Sequence, residues 1–238
     1  MLVILLLIVT LAYQAALLWR GRLPAGVRLR FGTRHVRWAS ALWLGYGVPA
    51  AIGLLAIGRF DGVAHLPPEF LPLAWYAEVP PGSIGIPVVL TGLCGGSLLG
   101  LALTWWRARQ GRAPWTAGDV RSIMPGSDAD LWPAAVLAIS AGIAEELFYR
   151  LWLPLIVALA SGSGTAGVIV GTICFAAMHR YQGWTGVIAN TIGGALLTAL
   201  YMGSGTLWLP IAVHVLVDLN ALVLRPAFSA RLRRRFSS

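Results

Sequence analysis

Residues 138–160 read AISAGIAEELFYRLWLPLIVALA. The stretch is almost wholly apolar and long enough to cross a hydrocarbon core of about 30 Å, which takes roughly 20 helical residues. Glu145, Glu146 and Arg150 stand in its middle. An ionisable group at mid-bilayer costs about 2.5–3.5 kcal/mol on insertion scales, so such groups mark function by default. This one segment therefore points both to a membrane helix and to chemistry inside it.

The rest of the chain agrees on the membrane. Of its 238 residues 58% are hydrophobic and 11% charged, with a mean hydropathy of +0.75. Soluble domains carry about 25% charged residues. Seven runs have the length and apolarity of spans: 1–19, 38–58, 84–106, 131–160, 164–180, 184–203 and 206–225. The first lacks the basic n-region of a cleaved signal, and the basic segment behind it resists export. The expected fold is an all-α polytopic helical bundle of about seven transmembrane helices, multi-pass in a membrane.

All eighteen basic residues are Arg, and the net charge is +9. In a membrane chain this charge records topology and not nucleic-acid binding, because Arg collects in cytoplasmic loops. Arg20, Arg22, Arg28, Arg30, Arg34 and Arg37 follow the first run; Arg107, Arg109, Arg112 and Arg121 follow the third. Arg180 follows the fifth, and Arg225, Arg231, Arg233, Arg234 and Arg235 sit in the tail. An N-terminus outside and a C-terminus in the cytoplasm puts these sixteen on one side. The exceptions are Arg59, in a loop with Asp61, Glu69 and Glu78, and Arg150. The Arg-rich face is expected to meet anionic lipid headgroups. Short loops and arginine-only usage suit a bacterial plasma-membrane protein. Cys94 and Cys174 fall in apolar runs without metal-like spacing and imply neither a disulfide framework nor a redox role. Gly167 and Gly171 have the small-xxx-small spacing of close helix packing.

Ionisable groups recur in the later spans: Glu145, Glu146, Arg150, His179, His214 and Asp218. Glu146 and Arg150 are four residues apart, where an acid and a base meet on one helix face. Glu145 is turned about 100° away. Arg150 thus compensates Glu146 and leaves Glu145 unpaired, as a general base requires. His214 and Asp218, and Phe175 and His179, share the same spacing. A Glu and a His sharing a water can activate it for attack on a carbonyl, with a second His on the oxyanion side. Ser140 and Cys174 are nearby candidate nucleophiles, without a clear relation to any His–acid pair. Residues 131–160 make about 45 Å of straight helix. That excess predicts a helix onset around Ser127–Asp130 and an end or kink near Pro154.

Three motifs then appear in order on successive spans: EELFYR (145–150) as EExxxR, FAAMH (175–179) as FxxxH, and HVLVD (214–218) as HxxxN or HxxxD. Residues 131–220 resemble the CPBP family of CAAX prenyl endopeptidases and bacteriocin-processing or abortive-infection proteins. The resemblance implies an intramembrane glutamic endopeptidase without a cofactor. It implies Glu145 as base, His179 as its partner on the water, and His214 and Asp218 on the oxyanion side. Glu146 and Arg150 are then supporting residues with Phe175. Asp218 stands where the eukaryotic pattern has Asn, and an ionised Asp repels an oxyanion; it is either protonated or orients His214. The chain divides accordingly into 1–130 without a recognised motif, a catalytic bundle at 131–225 and a basic cytoplasmic tail at 226–238. The expected partner is a hydrophobic or membrane-associated peptide. Two alternatives stay open: a zinc protease using Glu145, His179 and His214, and a non-catalytic membrane scaffold or immunity protein.

Overall fold

The computed structural model describes residues 1–20, 33–112 and 114–236. Arg22, Arg28 and Arg30 of the first basic loop lie outside the described residues. The described residues form seven long helices: α1 (Leu2–Arg20), α2 (Arg34–Ala56), α3 (Ile86–Arg109), α4 (Asp128–Ser161), α5 (Gly164–Met178), α6 (Gly183–Ser204) and α7 (Trp208–Arg235). Length and composition alone give six candidate spans, because α5 and α6 run together as Gly164–Ser204. That run is two helices. His179–Gln182 tighten into a 3₁₀ turn, and Gly183 takes φ +76°, which an L side chain rarely adopts. The protein is thus an all-helical membrane bundle, as the apolar runs predict.

The central element is α4, which packs against α1, α2, α5 and α7. It starts at a capping box: the Ser127 side chain caps the first turn, and Asp130 Oδ2 accepts from the Ser127 N–H at 3.1 Å. The onset therefore falls where expected. Of the end or kink expected near Pro154, the structure has a local disturbance of the helix and no end. The α-helix runs to Glu146, widens into a π-turn over Leu147–Trp152 and resumes to Ser161. Pro154 has no N–H to give the carbonyl of Arg150. The wide turn falls just before it and keeps the run helical. Gly162, at φ +73°, ends α4 with its N–H on the Ala158 carbonyl and turns the chain into α5.

Gly167 and Gly171 explain how closely α5 lies on α4. A Cβ on Gly167 would stand 2.2 Å from the Pro154 carbonyl oxygen, and one on Gly171 would stand 2.8 Å from the Tyr149 carbonyl. The tail expected at 226–238 is helical through Phe236, continuing α7 after a π-turn at Asn220–Leu224 and packing along α3. Of the seven helices α3 has the smallest buried share.

Both ends of the bundle are closed by ordered loops. The segment between α2 and α3 forms short turns at Phe60–Val63, Pro68–Phe70 and Leu71–Tyr76. It docks by backbone carbonyls: Gly62 accepts from the Tyr201 hydroxyl at 2.6 Å, and Val63 accepts from the Leu207 N–H at 3.0 Å. At the other end of α6, residues 114–127 are tied to two helices and a turn. Arg34 donates to the Met124 carbonyl, His35 Nε2–H to Ile123, and Arg225 to Trp115. The Asp119 N–H donates to the Gln182 carbonyl at 2.9 Å.

Within the first loop Arg59 holds Glu69 through two hydrogen bonds, 2.8 and 2.6 Å long. This bidentate contact holds the Glu69 carboxyl below its ordinary value of 4.5. A depressed acid stabilises the fold above its unfolded pKa, and the gain is lost as pH falls through the folded one. Glu69→Gln is therefore expected to lower the unfolding temperature at pH 7. The difference from the parent closes as the pH drops below the ordinary carboxylate range. A gap that stays constant with pH would assign the loss to packing.

Candidate active site

The helix ends and kinks place the ionisable residues around one cavity of about 1400 Å³. Glu145, Phe175, His179, His214 and Asp218 all line it. Its walls come from all seven helices, and residues 114–124 close one end. Glu146 and Arg150 stand behind the wall, 0% and 3% exposed. Ser140 and Cys174 are not among the lining residues. Both cysteines are free.

Glu146 is the hub behind the cavity. Its Oε2 lies 3.2 Å from Arg150 Nε, and its Oε1 accepts from His214 Nδ1 at 2.7 Å. The acid–base pair read from the i,i+4 spacing is thus present, with a third member from α7 that the spacing does not reveal. Burying two charges is favourable only when their remaining lone pairs and protons are met. The guanidinium also lies over the Phe175 ring, 4.0 Å from its centroid, a cation–π contact in a buried site. Gly194 on α6 leaves room for that ring: a Cβ there would stand 3.0 Å from Phe175 Cδ1.

Phe175 in turn positions the histidines. Its ring centroid is 4.6 Å from that of His179 and 6.3 Å from that of His214. Its carbonyl accepts from His179 Nδ1 at 2.8 Å. A carbonyl can only accept, so Nδ1 carries the proton and Nε2 of the neutral ring keeps its lone pair. The motif FxxxH therefore supplies a ring that backs the arginine and a carbonyl that sets the histidine tautomer.

Glu145 differs from Glu146 in kind. It is buried at 9% exposure, and among the described residues it has no hydrogen-bond or ion-pair partner. Asp218 is half-buried with Oδ2 3.7 Å from His214 Nε2, close enough to pair electrostatically but beyond hydrogen-bond length. Among the described residues no group of three or more His, Cys, Asp or Glu side chains is arranged to hold a metal ion.

Tyr181, Gln182 and Asn190 are among the polar lining residues that escaped the sequence reading. The signal available was faint. Neutral polar side chains at the start of a span read as ordinary interfacial residues, and their mutual bonds need the fold.

An all-helical membrane bundle enclosing a carboxyl–histidine cluster defines a class: a multi-pass membrane protein with a buried site able to activate water. Residues 127–220 match the family described as type II CAAX prenyl endopeptidase Rce1-like. The matched segment runs from the α4 cap to the π-turn of α7 and contains all three motifs. The family it resembles is one of CAAX-type membrane endopeptidases. No curated protein and no solved structure matches the chain.

Proposed function

We propose that the chain is an intramembrane glutamic endopeptidase that hydrolyses a peptide bond in a hydrophobic or membrane-associated peptide, without a metal. The observation that carries this reading is the unpartnered Glu145 carboxyl in the same cavity as the free Nε2 of His179. Glu145 takes a proton from a water while His179 Nε2 accepts the water's other hydrogen and orients it. The resulting hydroxide adds to the scissile carbonyl carbon, and the π electron pair moves to oxygen. Collapse breaks the C–N bond, and Glu145 returns its proton to the leaving amine. His214 sits on the oxyanion side, held at Nδ1 by Glu146.

The test compares membrane-protein termini between cells carrying the parent chain and cells carrying Glu145→Ala. New termini that appear only with the parent support proteolysis. Identical termini together with an unchanged cellular phenotype would leave the scaffold reading. Activity that survives exhaustive chelation separates the metal-free reaction from a zinc one. The reading keeps the N-terminus outside and the Arg-rich face toward anionic lipids of a bacterial plasma membrane.

Asp218 orients His214 in this mechanism, since its carboxyl stands 3.7 Å from Nε2. Asp218→Asn preserves shape and one acceptor. It is expected to retain cleavage within a few-fold, whereas Asp218→Leu loses about 10-fold or more. Equal losses in both variants would instead require the Asp218 charge itself.

A further inference from the structure

Few of the groups that meet in the cavity are donors. Glu145 and Asp218 offer carboxyl oxygens and His179 Nε2 offers a lone pair, while His214 commits Nδ1 to Glu146 and has only Nε2, 3.7 Å from Asp218, for the oxyanion side. Peptide hydrolysis needs the opposite where charge develops, namely hydrogen-bond donors aimed at the oxyanion. One side chain on the wall is built as such a donor.

Tyr181 lies on the 3₁₀ turn between α5 and α6, and its ring sits between those of Trp38 and His179, with centroids 6.0 and 6.1 Å away. Its hydroxyl oxygen accepts from Gln182 Nε2 at 2.9 Å. Gln182 Oε1 accepts from Asn190 Nδ2 at 3.1 Å, and Asn190 Nδ2 also donates to the Gly186 carbonyl at 2.8 Å. That carbonyl can only accept, which fixes the Asn190 amide and, through it, the direction of every bond in the chain. Donation runs Asn190 to Gln182 to Tyr181. The hydroxyl is thus left with its proton outward, and each bond polarises the next. Among the described residues no acceptor takes that proton, and Tyr181 lines the cavity with Glu145 and His179. The relay is rigid. Gln182 is buried, and a Cβ on Gly186 would stand 2.3 Å from its Cβ.

We propose that Tyr181 is a further catalytic residue: its hydroxyl donates a hydrogen bond to the carbonyl oxygen of the scissile peptide as that oxygen becomes negative. Gln182 and Asn190 are the positioning residues behind it. No proton is transferred at this atom. The O–H stays intact while the tetrahedral intermediate forms and collapses. The proposal rests on the proteolytic reading and adds a donor to it.

The test uses the full chain in detergent micelles with a farnesylated CAAX peptide carrying a fluorophore–quencher pair. If the parent leaves that peptide intact, the readout is the rate at which Glu145-dependent termini appear in membranes. Tyr181→Phe keeps the ring between Trp38 and His179 and removes the hydroxyl alone. It is expected to lower kcat about 10²-fold with KM within about twofold. Gln182→Met, which unseats the donor, is expected to lose about 10-fold. Unfolding temperatures close to the parent's would confirm that both variants fold. A Tyr181→Phe protein with kcat within about twofold of the parent, or with only KM raised, overturns the assignment while proteolysis stands. A parent chain with no Glu145-dependent cleavage on either readout overturns proteolysis and the assignment together.

Discussion

Glu145→Ala is expected to abolish cleavage while leaving the bundle folded. The side chain has no hydrogen-bond or ion-pair partner among the described residues, so its removal strands no other polar group. It takes away the acceptor for the water's proton and the acid that later protonates the leaving amine. A positioned general base contributes about 10²–10⁴-fold. Both roles fall on Glu145, so the expected loss is at the upper end or beyond detection. Glu145→Gln is the sharper variant, since it keeps size and burial but cannot take the proton, and it should be equally inactive. The measurement is the set of membrane-protein termini and the peptide-cleavage rate, with unfolding temperature as the folding control. Substantial cleavage by folded Glu145→Gln would remove this residue from the role of base.

Arg150→Ala is expected to be the most destabilising single change near the site. The guanidinium lies 3.2 Å from Glu146 and covers the Phe175 ring, with both charged side chains at most 3% exposed. Breaking a buried pair leaves an uncompensated charge, at a cost of about 3–5 kcal/mol. Replacing both partners by groups of similar volume is far milder. Glu146→Gln with Arg150→Met is therefore expected to recover much of the stability lost by Arg150→Ala. It should remain impaired in cleavage, because His214 Nδ1 loses its ionic partner. Thermal unfolding of both single variants and the double variant forms the cycle. Additive effects would show that the pair is not coupled and would sink this account of the EExxxR arginine.

The helices were legible because membrane solvation leaves a simple record. Apolar runs of span length, broken by Arg-rich or glycine-containing turns, gave seven spans and placed the onset of α4 at its cap near Ser127. The difference in pairing between Glu145 and Glu146 was legible for the same local reason: Arg150 is one turn from one acid and not the other. Pro154 announced a disturbed helix but not its form. A π-turn and a chain stop satisfy the missing N–H equally well, and only the neighbours of Leu147–Trp152 choose between them. The loop at 59–83 read as a plain acidic connector, yet its carbonyls take the Tyr201 hydroxyl of α6 and the Leu207 N–H just before α7.

The sequence by itself determined the class of fold, the order of the three motifs and which acid lacks a local partner, because each depends on side chains within a turn or two of one another. Tertiary structure decided which groups share a cavity, that Glu146 grips His214 from another helix, and that Tyr181, Gln182 and Asn190 form a directed relay beside His179. The shared cavity and the Glu146–His214 contact join residues that helical periodicity cannot relate, because they become neighbours only when α5, α6 and α7 close around α4. The relay is local, within residues 181–190, but its direction depends on the 3₁₀ turn that precedes α6 and its place on the cavity wall depends on the bundle.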